Sequence, residues 1–325
     1  MESNRLLQML LDHPGQYISG EELSRRLSIS RTAVWKQINK LRQDGYEFEA
    51  VSRKGYRLIH SPERIHGEDV LSRLQTVTFG RQIHVMDVVK TTQDEVRALA
   101  EQDAVEGTLV IAEEQTVGRG RQGRKWYSPS GKGIWMSMLL KPRQPIAFAA
   151  QLTLLTAVGV CRALRKATGV DVGIKWPNDL LIEGRKLCGI LVESISEDEL
   201  LKYCIVGIGI DVNQQLEDIP EEIRSVATSL RIESDSKQDR TLLIAEILYE
   251  LEQLYNLYNE EGFAPIGHLW EALSVTIGRQ VLIRTPQGES SGIAIGLDPS
   301  GALLITDQHG QERTIYSGEI QLDRI

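Results

Sequence analysis

GRGRQGRKW, residues 118–126, packs three glycines and four cationic side chains into nine positions, and what such a loop can hold decides the fold. Its first six letters satisfy the G-x-G-x-x-G pattern of a dinucleotide-binding turn. That reading needs a helix directly after the glycines and an acidic residue about twenty positions further on. Here Trp126-Tyr127-Ser128-Pro129-Ser130-Gly131 follows, which cannot open a regular helix, so a doubly wound nucleotide fold is excluded. A Walker loop is excluded as well, because Gly123 precedes Arg124-Lys125-Trp126 instead of Lys and Ser/Thr. An arginine–glycine RNA-binding tract would repeat, whereas this one occurs once, between apolar strand-like segments. What remains is a single loop whose glycines let the backbone approach a ligand closely. Its Arg119, Arg121, Arg124 and Lys125 offer charge to a carboxylate or to phosphates.

The chain around this loop is 325 residues long, 41% hydrophobic and net -8, which describes a globular protein of two or three domains. The charge is unevenly spread. Residues 1–60 carry ten Lys or Arg against seven Asp or Glu, while the remaining 265 carry 27 against 38, so nucleic acid is expected at the head alone. Cys161, Cys188 and Cys204 show no metal-ligand spacing and read as buried thiols of a reducing compartment. The first fifteen residues lack the features of a signal peptide and no apolar run reaches membrane-spanning length, so cytoplasmic residence is expected.

In the head, Leu6, Leu7, Leu10 and Leu11 recur at helical spacing until Asp12-His13-Pro14-Gly15 stops them. Ser19 and Glu22 form a capping-box pattern for a short second helix. Ser30 is the expected N-cap of a third, with Val34, Ile38 and Leu41 on its buried stripe and Gly45 at its end. The other face presents Arg31, Thr32, Trp35, Lys36, Asn39 and Lys40, types that reach phosphates and base edges in a major groove. Alternation through Tyr46 and Phe48, a basic tip at Arg53 and Lys54, and renewed alternation at Tyr56 and Leu58 predict a hairpin. The order resembles a winged helix-turn-helix. One such head has a small footprint, so a homodimer on a two-fold operator is expected.

Four segments, GRGRQGRKW, KWPND (Lys175–Asp179), RKLCGILVE (Arg185–Glu193) and GIGIDVN (Gly207–Asn213), together resemble the signature segments of biotin–protein ligases. With the winged head in front, essentially the whole chain looks like the bifunctional bacterial form that also represses biotin synthesis. The resemblance implies a ligase that makes biotinyl-AMP from biotin and ATP with Mg2+ and passes biotin to a lysine of a biotin carboxyl carrier protein. It implies biotin contacts from Thr91, Thr92, Gln93, Gln115, Gly118, Arg119, Lys186 and Gly189. The adenylate would meet Arg119, Arg121, Arg124, Trp126, Lys175, Asn178, Asp179, Asp211 and Asn213. Lys186 and Arg121 carry the catalytic roles, the first between carboxylate and α-phosphate, the second in retaining the adenylate. Taken alone, Lys186 after the turn Glu183-Gly184-Arg185 reads as a solvated lysine; the surrounding RKLCGI reverses that. Trp126 reads as an adenine-side wall or as core. The family often has Asn at Asp211 and Ser-Thr-Asn at Thr91–Gln93. No residue is assigned to the metal beyond Asn178 and Asp179 as polar contacts to ligand or metal.

Organisation follows the same pattern. Helices are expected from Leu152 to Thr168 and from Leu242 to Tyr258, each ending at a glycine, with β segments joined by short turns over 172–212. The polar stretch Gln214–Ser229 is expected to be a loop that closes over the adenylate. From Val275, turns at 286–288, 298–301 and 308–310 punctuate short strands of a small barrel. The expected fold is α+β and multidomain: a winged helix-turn-helix (1–62), a class II synthetase-like domain with a mixed or antiparallel sheet (67–272), and an SH3-like barrel (273–325). A linker is expected over 59–67, at Pro62. A repressor that merely senses biotin would not need the arginine loop and Lys186 together. A lipoate ligase would not usually carry this loop or the head.

Overall fold

The computed structural model describes residues 2–43, 46–51, 54–60, 64–142, 144–197, 200–285 and 288–323. Gly45, Arg53, Pro62 and the expected turn at 286–287 lie outside the described residues. Compactness divides the chain into two units, Met1–Ser72 and Arg73–Ile325.

The first unit runs α1 (Glu2–Leu11), α2 (Gly20–Leu27), α3 (Arg31–Gln43), β1 (Glu47–Val51), β2 (Gly55–His60) and α4 (Gly67–Arg73), the last helix ending just past the division. Leu6, Leu7 and Leu10 bury against Leu23, Val34, Ile38 and Leu41, the apolar stripes read from spacing. Ser28, in the left-handed region at φ 56, closes α2, and the Ser30 hydroxyl accepts the Ala33 N–H at 3.1 Å to open α3. The capping box at α2 forms only by half. Ser19 accepts from the Glu22 N–H at 3.0 Å, but the Glu22 carboxylate pairs with Arg26 at 2.6 Å, one turn further on. A charged partner at i+4 is the better acceptor's mate than a neutral amide. β1 and β2 pair antiparallel, and a bridge between Ile18 and Tyr56 fastens this wing to the α1–α2 connection.

The second unit holds a seven-stranded sheet built from β3 (Ile83–Val89), β4 (Leu109–Gln115), β5 (Gly133–Leu140), β6 (Gly173–Lys175), β7 (Asp179–Ile182), β8 (Arg185–Glu197) and β9 (Leu200–Asp211). Its order is β3-β4-β5-β9-β8-β7-β6. β3 and β4 are parallel, joined through α5 (Thr92–Ala100), and every other pair is antiparallel, so the sheet is mixed. Central β5 is buried at all its positions, as a strand covered on both faces must be. Behind the sheet, α6 (Ala149–Thr168) packs on α8 (Arg240–Glu261) and α9 (Ala264–Leu273), while α7 (Leu230–Ser234) is a short turn of helix. Arg240, the first residue of α8, points inward to Glu113 on β4 at 2.9 Å and donates to the Gly133 carbonyl at 3.0 Å.

The chain ends in β10 (Gln280–Thr285), β11 (Gly288–Leu297), β12 (Leu303–Thr306), β13 (Glu312–Ile315) and β14 (Glu319–Leu322). They form an antiparallel sheet in the order β13-β12-β11-β10-β14; β13 and β14 are its edges, so no strand pair closes the expected barrel, although the arrangement is compatible with an SH3-like fold. No described helix is long and apolar enough to cross a membrane.

Candidate active site

The glycine-rich loop between β4 and β5 is a narrow ribbon folded on itself. The Trp126 N–H donates to the Gly118 carbonyl at 2.8 Å, the Gly120 N–H to the Arg124 carbonyl at 2.7 Å, and Arg119 bridges Lys125. Gln122 and Gly123, at φ 57 and 74, make its tip. A Cβ on Gly118 would stand 2.4 Å from the Trp126 carbonyl, so glycine is required there for the ribbon's own closure; Gly118 itself does not line the cleft. The arginines fan out to three different elements. Arg119 meets Asp94 of α5 at 2.7 Å, Arg121 donates to the Asn178 side-chain oxygen at 3.1 Å, and Arg124 pairs with Glu319 of β14. Burial pushes the Arg121 guanidinium down from its ordinary value, and Asp179 opposes that shift.

The ribbon covers a cleft of about 1760 Å³ in the second unit. At its floor lies an indole. Gly189 of β8 and Gly209 of β9 are cross-strand partners, and the Trp126 ring fills the space that their missing side chains leave. Lys186 sits beside it, its Nζ 2.7 Å from Asp179 Oδ1 and 5.2 Å from the Trp126 ring centre. Its position follows from the turn: Glu183 and Gly184, both at positive φ, make a tight two-residue connection that starts β8 rigidly. A Cβ on Gly209 would stand 2.5 Å from Trp126 Nε1, and a ring cannot bend aside as a flexible chain end can. Gly209→Ala is expected to cost about 1–3 kcal/mol by overpacking. Denaturant unfolding checks this, and adding Trp126→Leu in the same chain should return most of the loss.

Four of the expected biotin contacts, Thr91, Thr92, Gln93 and Gln115, are hydrogen-bonded within the protein. Thr92 Oγ1 lies 2.7 Å from the Ser137 hydroxyl, Gln115 Oε1 accepts from the Thr92 N–H at 2.9 Å, and Gln115 Nε2 donates to Ser128 at 3.0 Å. Thr91 caps α5 by accepting from the Gln93 N–H, and Gln93 Nε2 donates to the Leu191 carbonyl at 2.9 Å. All four line the cleft, and so does Ser137, which the sequence reading passed over. A serine inside the apolar run GIWMSMLL was the signal available.

Lys175, Asn178, Asp179 and Asp211 share the cleft wall. Burial lowers the Lys175 ammonium, with Asp179 pulling the other way. Burial also pushes the Asp211 carboxyl well above the usual range, against a 2.5 Å hydrogen bond from Gln214 and the nearby Lys186 charge. Asn213 faces elsewhere: both ends of its amide bond the Gln238 backbone, at 2.9 and 3.0 Å, and it does not line the cleft. The stretch 214–229, expected as a loop, contains short helical turns and is tied to the body of the unit. Leu216–Asp218 and Glu221–Ile223 are single helical turns, Asp218 pairs with Lys132 at 2.9 Å, and Ala227 bridges Lys186. Ile219, Ile223 and Val226 thereby line the cleft.

In the head, Arg31, Thr32, Trp35, Lys36 and Lys40 are exposed on α3, Trp35 by 53%, a large apolar surface among cations. Asn39 is half-buried and accepts from Arg42 at 3.2 Å. Lys54 stands exposed at the wing, 5.6 Å from the Tyr17 ring.

Comparison with known proteins assigns both units. Residues 85–211 match the Biotin/lipoate A/B protein ligase family, residues 2–57 an HTH domain and residues 276–323 the Biotin protein ligase C terminal domain. The chain is 44% identical over 317 residues to the Bifunctional ligase/repressor BirA of Bacillus subtilis, covering 98% of this chain and 97% of that protein. It is 34% identical to the Escherichia coli protein of the same name, over 95% and 94% of the two chains. Among solved structures, the biotin protein ligase of Aquifex aeolicus in complex with biotin and ATP superposes with a TM-score of 0.65 at 32% identity, covering 75% of this chain and all of that one.

Proposed function

Because this chain belongs to the biotin protein ligase family, in its bifunctional ligase/repressor form, we propose how its residues divide the work. The protein joins biotin to ATP, transfers biotin to a protein lysine, and carries a repressor's DNA-binding head. The observation that carries the residue assignment is Lys186, a cation fixed between Asp179 and the Trp126 face on the cleft floor.

In the first step a biotin carboxylate oxygen attacks the α-phosphorus of ATP and the bond to pyrophosphate breaks. Negative charge builds where the two anions meet, and a cation already in place stabilises that charge without reorganisation. Lys186 supplies it, released from Asp179 toward the reacting oxygens. Thr92, Gln93 and Gln115 exchange bonds within their network for bonds to biotin's ureido ring. In the second step the carrier lysine's amine attacks the acyl carbon and AMP leaves. Ile219, Ile223 and Val226 keep water from the mixed anhydride meanwhile.

Mg2+ fits this cleft. Asp179, beside Lys186, and Asp211, which accepts from Gln214, are the two acidic side chains of the wall named above. Mg2+ is commonly held by one or two carboxylates together with substrate phosphates. Asp179 would hold it together with the substrate phosphates, and the ion would neutralise charge on the triphosphate.

The acceptor is a biotin carboxyl carrier domain and the head's ligand is operator DNA, bound by two copies of the chain with α3 in the major groove. Biotinyl-AMP, the species that joins the biotin and adenylate contacts in one molecule, is the corepressor, acting through tighter binding to the dimer. Cytoplasmic residence fits the three buried free thiols.

The deciding experiment gives purified protein ATP, Mg2+ and biotin, then a carrier domain, following pyrophosphate and carrier mass. One biotin on one lysine after pyrophosphate release supports the reading; tight biotin binding without pyrophosphate contradicts it. Arg121→Gly removes the guanidinium that reaches Asn178 across the cleft. Its adenylate is expected to dissociate about tenfold faster or more, with biotin appearing on lysines outside the carrier. Dissociation at the wild-type rate would refute that role.

A further inference from the structure

The first arginine of the ribbon stands in a cradle that the chemistry above leaves unexplained. Arg119 Nη2 lies 2.7 Å from Asp94 Oδ1, and Nη1 lies 3.5 Å from Asp94 Oδ2. The same Nη2 is 3.8 Å from Glu193 Oε2, and that oxygen is 2.7 Å from Arg97 Nη2. Asp94 and Arg97 share the first turns of α5, Glu193 stands on β8, and Arg119 comes from the ribbon. Four charges thus alternate in sign, Asp94, Arg119, Glu193, Arg97, and tie three elements around one side of the cleft. Arg119 lines that cleft, and its Nε, buried, has no hydrogen-bond partner among the described residues.

A guanidinium presents five donors in one plane. The two carboxylates engage its Nη end, which leaves the Nε edge for a further acceptor. We infer that Asp94, seconded by Glu193, is a positioning residue: it holds Arg119 in place before ligand arrives, with the Nε edge kept for the anionic part of the ligand. The inference rests on Arg119 being a ligand contact. The ribbon's bonds at Gly118 and Gly120 and the bridge to Lys125 hold the backbone of Arg119 but not its long side chain, which without the cradle must be ordered at the moment of binding, at the expense of affinity.

The sign of the effect separates this role from simple electrostatics. Asp94→Asn removes a negative charge near an anion site, and on Coulomb grounds alone that tightens anion binding. If Asp94 positions Arg119, the same change weakens it. Asp94→Asn should raise the biotin KM about threefold to tenfold, the size suited to a half-exposed bidentate pair, with kcat changed far less. Asp94→Glu should recover part of the loss.

The test is a double-mutant cycle on the full-length protein, with biotin KM and kcat measured by pyrophosphate release for Asp94→Asn, Arg119→Ala and the pair. The expected result is a weakened Arg119→Ala, a weakened Asp94→Asn, and no added effect of Asp94→Asn once Arg119 is gone. Two results overturn the inference: Asp94→Asn binding biotin as tightly as the wild type or tighter, or an Asp94→Asn loss that persists in full in the Arg119→Ala background, which would assign Asp94 to the start of α5 alone. An Arg119→Ala protein with unchanged KM instead removes the premise that Arg119 touches ligand.

Discussion

Lys186→Ala is expected to lower the rate of adenylate formation about 10²- to 10³-fold, the size found when one preorganised charge-stabilising donor is removed from a water-poor site. The substitution takes away the cation on the cleft floor while leaving the strand that carries it, because Lys186, second in β8, follows a turn whose geometry depends on Glu183 and Gly184. Biotin KM should move much less than kcat, since the charge that Lys186 meets is largest in the transition state. Lys186→Arg should not restore the rate: a planar fork cannot take the place of a point charge wedged between Asp179 and the Trp126 ring. Rapid-quench measurement of pyrophosphate release separates chemistry from product loss. A Lys186→Ala protein with a normal burst would assign the step to another cation of the cleft.

Glu113→Ala is expected to destabilise the protein by about 3–5 kcal/mol, the cost of leaving a buried charge without its counter-ion. Glu113 and Arg240 are 4% and 5% exposed, and their contact fastens the start of α8 to β4. Replacing both, Glu113→Leu with Arg240→Met, should recover most of that loss, because well-packed apolar residues avoid desolvating the pair at all. Denaturant unfolding of the single and double variants reads both statements. A loss near that of an exposed pair, under about 1 kcal/mol, would mean that water reaches the contact. Gln115 stands two residues along the same strand, so weaker biotin binding should accompany the single change.

The stripes of the head, the turn before Lys186 and the two long helices were legible because each depends on neighbours close in sequence: leucines at helical spacing, a Glu-Gly pair, a glycine after the last turn. The family's segments marked the cleft for the same reason. Contacts made across the fold were not legible. Gly189 and Gly209 look alike in sequence to any strand glycine, and only the β8–β9 register sets them face to face under Trp126. Asp94 and Glu193 are surface-type carboxylates 99 positions apart until α5 crosses to β8. α5 itself was hidden because Thr91–Gln93 read as ligand contacts, although Thr91 is also a regular N-cap. The polarity of 214–229 marked a loop that closes over the adenylate but not the partners of its polar groups, which bond inward, Asp218 to Lys132 and the Ser229 hydroxyl to the Gln214 carbonyl.

The bridge at Ala227 gives the lid a built-in clock. The Lys186 N–H donates to the Val226 carbonyl at 2.7 Å, and the Thr228 N–H donates back to the Lys186 carbonyl at 2.9 Å. Segment 214–229 therefore cannot lift without freeing the amide proton of the lysine beneath it. Hydrogen–deuterium exchange at Lys186 would then count lid openings one by one, at a site whose strand neighbours exchange only in rarer and larger openings. Bound adenylate should slow that single proton more than any other in the sheet.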